Sequence, residues 1–501
     1  KQKTAYEIPK RDWSSDVCSS DLGTPSSVSA MTDAPAASTA TGEGRRRGRA
    51  RTSGAGDRLP EQAPFRQPRM RYEPTRIVSE DELEAIHLAS LRILRDIGMD
   101  FLEPQARAML AAAGADVDSD SPRVRFDPDM VLERIRTCPS EFTMHARNPA
   151  HDLRIGGDWV AFGSVGSPPN YVDLDGVRHI GDRAGYRDFL RLVQMFNVVH
   201  YFTGYPVEPT DLHPSVRHLE AGHDALVMTD KVPFAYSLGA QRNRDVLEMI
   251  RIARGVTDAQ IDEQPSIFSI INSSSPLRLD APMLQGIIEF SSRNQIICIT
   301  PFTLAGAMAP VTLAGALSQQ NAEALAGMVM TQVVRPGAPV VYGGFTSNVD
   351  MQSGAPAFGT PEYMRTAMIG GQLARRYKVP YRSSNVCAAN AVDAQAAYES
   401  VFSIWGAVMG GVNMMMHGAG WMEGGLHASL EKFVLDADLL AMVAAFLEPP
   451  VVDEATLAHD AIAEVGPGGH FFGTQHTQDR FRTAFFKPMR SEEHTSELQS
   501  R

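Results

Sequence analysis

Eight short apolar runs, most of them stopped by Gly, Ser, Pro or Asn and each followed by a longer stretch of helical periodicity, constrain this chain more than any other feature. They are Trp159-Val160-Ala161-Phe162, Val198 to Thr203, Pro233 to Ser237, Ile267 to Ile271, Ile296 to Thr300, Val340-Val341-Tyr342, Tyr381 to Val386 and Val412 to Met416. Their spacing, roughly 30 to 45 residues, is what one strand, one helix and two loops consume in a βα unit. Parallel neighbours need such crossovers, so eight units predict an α/β fold closed as a (β/α)8 TIM barrel over residues 155–448. An open, doubly wound sheet is the competing arrangement, because counting repeats does not prove closure.

What flanks the repeats reads differently. Ser79 and Glu82 form a capping box, and Leu83, Ile86, Leu91, Leu94 and Ile97 recur at helical spacing until Gly98. Pro104 to Ala113 and Pro128 to Arg136 carry the same start and stop signals, and with the strand-like Phe142-Thr143-Met144-His145 they predict an N-terminal helical cap over 76–150. Residues 31–75, rich in Ala, Gly, Thr, Arg and Pro, read as a disordered, flexible arm. Residues 1–30 and 491–501 have no periodicity and resemble translated sequencing-adapter text, hence non-native sequence with the natural start near Met31; 449–490 reads as a truncated C-terminal segment.

Composition narrows the function. A net charge of −12 argues against nucleic acid, which needs a clustered basic surface; the dense run Arg45-Arg46-Arg47 lies in the arm. Four cysteines, Cys18, Cys138, Cys298 and Cys387, stand far apart with no C-x-x-C pair, so spacing encodes neither a disulfide framework nor a zinc site. No stretch approaches the roughly 18 apolar residues of a membrane span and no signal segment opens the chain, so a cytoplasmic protein without a membrane partner is expected.

In a barrel the chemistry sits where strands end. Those exits carry Gly163-Ser164-Val165-Gly166, Asn272-Ser273-Ser274-Ser275, Gly343-Gly344-Phe345-Thr346-Ser347-Asn348, Ser383-Ser384-Asn385 and His417-Gly418-Ala419-Gly420-Trp421. Glycine admits a bulky partner close to the backbone, while Ser and Asn supply hydrogen bonds without fixed charge, which predicts a wide, uncharged mouth. Phe162, Phe302, Tyr342, Phe358 and Trp421 fall at or just beyond strand ends, and an aromatic wall attracts a quaternary ammonium with no hydrogen bond at all. The plainer reading of each ring is packing.

His417, Glu423 and His427 could hold a metal in a lyase or hydrolase, but a spacing of ten is not diagnostic and no metal is expected. Gly406-Ala407-Val408-Met409-Gly410-Gly411 precedes a strand, which is wrong for a dinucleotide loop. Met414-Met415-Met416 reads as core on one face and helix packing on the other. Asp393 reads first as a helix cap, with Gln395 and Glu399 sharing one helix face behind it.

The blocks from Gln352 to Tyr363, Gly371 to Tyr377, Arg382-Ser383-Ser384-Asn385, Val392 to Glu399 and Gly420 to Leu426 resemble the trimethylamine methyltransferase family, and the likeness runs from about Ser79 to Pro450. That resemblance implies a (β/α)8 barrel that docks a corrinoid protein and passes methyl from an amine to Co(I). Family members acting on trimethylamine carry pyrrolysine near the seventh strand. Ser383 to Cys387 are all standard residues, so the chain is similar to the larger branch without it, some of whose members demethylate quaternary amines such as glycine betaine. In that setting Phe302, Tyr342, Phe358 and Trp421 are expected to cage the methylammonium, Asn385, Gln395 and His417 to orient its polar end, and Gly343, Gly344, Thr346, Ser384 and Glu423 to meet the corrinoid (cobalamin), which a partner protein carries. No cofactor bound permanently on this chain is expected, and a homo-oligomer is. A non-catalytic amine-binding protein is the remaining rival.

Overall fold

The computed structural model describes residues 62–489. Six of the eight runs become strands: β1 (Ala161–Ser164), β2 (Phe268–Ile271), β3 (Ile296–Ile299), β4 (Val340–Gly343), β5 (Tyr381–Ser384) and β6 (Met414–Ala419). They form one sheet in the order β1-β6-β5-β4-β3-β2 with every pair parallel, curved as a half-barrel. The second and third runs make no ladder. Tyr201 forms single parallel bridges to Gly163 and Val232, and Phe234 bridges to Phe268 at the start of β2. Between Val232 and Phe234 lies Pro233, which has no N–H to give a ladder, so this stretch can pair only at isolated points.

Successive residues of a strand point to opposite faces, and the two faces have different fates here. Ala161, Phe268, Cys298, Val341, Met414 and Met416 share the concave side. Ile297, Ile299, Tyr342, Tyr381 and Met415 pack under the helices instead. Met414-Met415-Met416 is therefore divided as its position in a strand predicts.

The amino ends of the strands are closed. A hairpin of Glu141–Met144 with Leu153–Gly156 sends Met144, Leu153 and Ile155 into the concave cluster. Only the carboxyl ends remain for a site.

Three helices, α1 (Glu80–Arg92), α2 (Pro104–Ala112) and α3 (Pro128–Ile135), lie against α4 (Leu313–Val334). Sandwiched between them and the sheet, α4 is buried on every side from Ala316 to Gln332. This explains why a helix without an apolar stripe is stable. The capping box of Ser79 and Glu82 forms as expected. The helix then runs into a π turn, Ile93–Ile97, before Gly98 at φ 75°. The wider turn shifts the periodicity, so Ile97 is exposed rather than core.

The expected arm falls partly outside the described residues, which begin at 62. From there to 75 the chain is packed: Met70 is buried, the Arg69 guanidinium lies 4.8 Å over Trp159 and pairs with Asp158, and the Thr75 N–H donates to Met409 O. Burying Met70 and satisfying Arg69 offset the ordering entropy that composition alone would leave unpaid. No helix among the described residues is long and apolar enough to cross a membrane.

Candidate active site

At its carboxyl end β6 does not run straight. Its register with β1 shifts between Met415 and Ala419, and His417 takes φ 55° inside the shift. Such a bulge re-aims a side chain, and here it turns His417 against Trp421, the rings stacked at 5.3 Å and 28°. His417 Nδ1 meets the Ser384 hydroxyl at 3.1 Å. Burial, and then the charge of Arg382, hold this imidazole well below the usual histidine range, so it is neutral.

Around this pair the rings converge. Phe345 stands edge-on to His417 at 5.8 Å, to Trp421 at 6.3 Å and to Phe358 at 5.5 Å. Phe358 is edge-on to Trp421 at 5.4 Å, and Phe302 leans on Phe345 at 5.3 Å. The segments that leave β3, β4 and β6 thus contribute to one aromatic cluster.

Hydrogen bonds fix the loops that carry it. The Asn385 amide donates to Gly418 O at 3.0 Å, while its buried Oδ1 has no partner among the described residues. On α5 (Pro361–Tyr377) the Tyr363 hydroxyl both donates to Ser384 O at 3.0 Å and accepts from Ser384 N–H at 3.1 Å. Thr346 joins the Thr303 hydroxyl to the Gln320 amide oxygen. On α7 (Leu430–Phe446) the fully buried Asp436 accepts the Gly420 N–H at 2.9 Å and pairs with Lys432. Glu399, on α6 (Ala394–Met409), accepts the Ala388 and Ala389 N–H groups.

Beneath the rings lies a charge that the sequence reading did not single out. Arg382 occupies the concave face of β5, two residues before Ser384. Its Nε donates to Met416 Sδ at 3.1 Å, its Nη1 to Gly344 O at 3.1 Å, and the guanidinium sits 5.1 Å over the Phe345 ring. The uncharged mouth is corrected accordingly: its ring-lined wall is neutral, but its floor carries the Arg382 guanidinium and its rim the Arg178–Glu423 pair.

Of the expected residues, Phe302, Phe358, Trp421, His417, Ser384 and Asn385 come together, with Thr346 beside them. Tyr342 does not. It points to the helix side of β4, where its hydroxyl donates to Asn321 Oδ1 at 3.1 Å. Gln395 is exposed and spends its amide on Glu399 at 2.8 Å, behind the Asp393 cap that forms as expected. A Cβ on Gly343 would meet Thr300 Oγ1 at 2.5 Å, and one on Gly344 the Gln320 amide at 2.5 Å. Both glycines answer to packing within the wall rather than to a visitor. Glu423 sits on the rim, paired with Arg178 at 2.9 Å and His427 at 3.0 Å. His427 and Glu423 are thus paired with each other, and His417 with Ser384. Among the described residues no group of three or more His, Cys, Asp or Glu could hold a metal. The residues missed, Arg382, Phe345 and Tyr363, all stood within stretches quoted above; strand alternation with Ser384 was the available signal for Arg382.

Against known proteins, the family model for trimethylamine methyltransferase (MTTB) matches residues 43–498. The glycine betaine methyltransferase of Desulfitobacterium hafniense (strain Y51) is 35% identical over 83% of this chain and 86% of its own length. The trimethylamine methyltransferase MttB of Methanosarcina thermophila is 26% identical over 80% of this chain and 84% of its own. Among solved structures, the Methanosarcina barkeri monomethylamine methyltransferase (MtmB) matches with a TM-score of 0.50 at 12% identity, over 73% of this chain and 74% of that one, a likeness of fold.

Proposed function

This chain belongs to the trimethylamine methyltransferase family, and from that premise we propose that it moves a methyl group from a quaternary methylated amine such as glycine betaine to the Co(I) of a corrinoid held by a partner protein. The observation that carries the substrate is the ring cluster of Phe302, Phe345, Phe358 and Trp421 around neutral His417. Ring faces attract a methylated ammonium, and a neutral imidazole does not repel it.

In the transfer the acceptor supplies the electron pair of the new methyl–cobalt bond, and the pair of the broken C–N bond returns to nitrogen. The leaving amine is then neutral, so no proton has to move with it. What remains for the protein is alignment and exclusion of water. Asn385 and Ser384 hold His417 and its loop, and the rings shield the methyl group from solvent.

The single bridges at Tyr201, Val232 and Phe234 support a sheet closed as a (β/α)8 barrel, with hydrogen bonds from His200 N to Phe162 O, Phe202 N to Val232 O and Ala235 N to Phe268 O spanning the gap. Ile180, Val311, Met351 and Leu426, exposed apolar side chains in the segments after strands, support docking of the corrinoid protein on this rim. The corrinoid, carried by the partner protein, is the methyl acceptor and thus a substrate of this chain, to which the rim offers contact surface. The free thiols Cys138, Cys298 and Cys387 support a cytoplasmic location, and the exposed Phe472, Phe481, Phe485 and Phe486 a homo-oligomer.

The test is formation of methylcobalamin from glycine betaine by the intact chain. Trp421→Ala and Asn385→Ala are each expected to slow it about tenfold or more. Unaltered rates in both would remove the site assignment.

A further inference from the structure

Arg382 is 2% exposed, yet no carboxylate among the described residues pairs with it. Contrast Lys432, equally buried and matched by Asp436 one turn away. A guanidinium offers five N–H donors in a fork shaped for a carboxylate. Here one is given to a thioether, a weak acceptor, and one to a carbonyl, while Nη2 donates to nothing among the described residues. Holding such a charge in low dielectric is costly unless a counter-charge arrives. An uncompensated guanidinium at the floor of the site points to an anionic group of the ligand.

Building on the methyltransfer reading, we propose that Arg382 is the carboxylate anchor of the substrate, the residue that selects an amine carrying a carboxylate over one without. Geometry makes the two ends compatible. The guanidinium lies 5.1 Å from the Phe345 centroid, and the same ring is 5.8 Å from His417 and 6.3 Å from Trp421. One ring therefore adjoins both the anion site and the cation site, which suits a molecule whose charges are separated by a single methylene. The carboxylate is received by Nη2, which has no acceptor among the described residues, and the methylammonium is left among the rings facing the mouth. An amine without a carboxylate satisfies only the rings and leaves Arg382 unmatched, so it is discriminated against by the cost of a buried, unpaired charge.

The test is calorimetric titration of the full chain with glycine betaine, with its methyl ester and with choline, which keep the ammonium but lack the anion. The wild-type protein is expected to bind betaine about tenfold or more tighter than either. Arg382→Met is expected to bring betaine down to the level of the ester, with Arg382→Lys falling between. Equal binding of the three ligands by the wild type, absence of betaine binding, or betaine binding undiminished in a folded Arg382→Met would overturn the assignment. The wild-type comparison needs no variant to fold. A chain that shows the betaine preference but never methylates a corrinoid keeps this anchor and loses the methyltransfer reading; one that demethylates betaine and ester equally well does the reverse.

Discussion

Trp421 shows how a single residue serves both packing and chemistry. Its ring stacks on His417 and braces Phe358, so Trp421→Ala removes the face that meets the ammonium and about 1–2 kcal/mol of cation–π attraction with it. The expected result is a loss of about tenfold or more in kcat/KM with most activity kept by Trp421→Phe, read from methylcobalamin formation. His417 is neutral for want of solvent and because of Arg382, so transfer should show no ionisation of this residue between pH 6 and 9, a span set about the ordinary histidine value near 6.5; an acid limb in kcat near pH 7 that disappears in His417→Gln would contradict this. Stability has a separate pH dependence. Burial lowers His200 to about 3 and His87 to about 4. Each binds its proton in the unfolded chain first, so stability is complete above the unfolded value near 6.5 and falls as pH drops through the window toward those folded values. Melting temperature should decline steadily from pH 7 to pH 4, less so in His200→Gln, where Nδ1 no longer accepts the Phe162 N–H. Which of these residues could be read in advance depended on context. Ring types past strand ends were visible, but Tyr342 lies in Val340-Val341-Tyr342, apolar at every position, so its run carried no phase to say which face it takes. Arg382 was hidden for the opposite reason: a charged residue in a buried strand reads as an exception, and only its neighbours reveal that no described residue neutralises it.

At the scale of elements, the loops of the site are held in place by the helices behind them. The Lys432–Asp436 pair on α7 holds the Gly420 N–H and with it the loop between His417 and Trp421. Removing one partner strands a buried charge, at about 3–5 kcal/mol. Asp436→Leu should therefore lower the denaturation midpoint strongly, and Lys432→Met with Asp436→Leu together much less; equal losses would show that the pair does not act as a unit. Six of eight strands and the helices between them followed from run length and spacing. The second and third did not form ladders, because Pro233 and the irregular turn after Tyr201 leave too few donors in line, a matter of backbone hydrogen bonds that apolar pattern does not report. Gln395 illustrates the same limit on a helix: its shared face with Glu399 was legible, but not that Glu399 looks inward to Ala388 and Ala389 while Gln395 merely braces it from outside.

For the whole molecule, the amino end of the sheet is plugged by the Glu141–Met144 hairpin, and the carboxyl end bears neutral rings over the buried Arg382, with exposed apolar side chains in the segments around it. A partner that docks there should be displaced by charge. Ile180→Asp with Met351→Asp is expected to weaken transfer to the corrinoid protein about tenfold while leaving transfer to free cob(I)alamin intact, since neither residue lies among the rings. Loss of both reactions would instead mean that the rim belongs to the substrate site. The most direct measurement incubates the chain with glycine betaine and reduced cob(I)alamin under strict anaerobiosis, following the cobalt spectrum and the amine product together. Methylcobalamin and dimethylglycine appearing in equal amounts is the predicted result; no methylated cobalt from any quaternary amine, or consumption of betaine without dimethylglycine, would contradict the account.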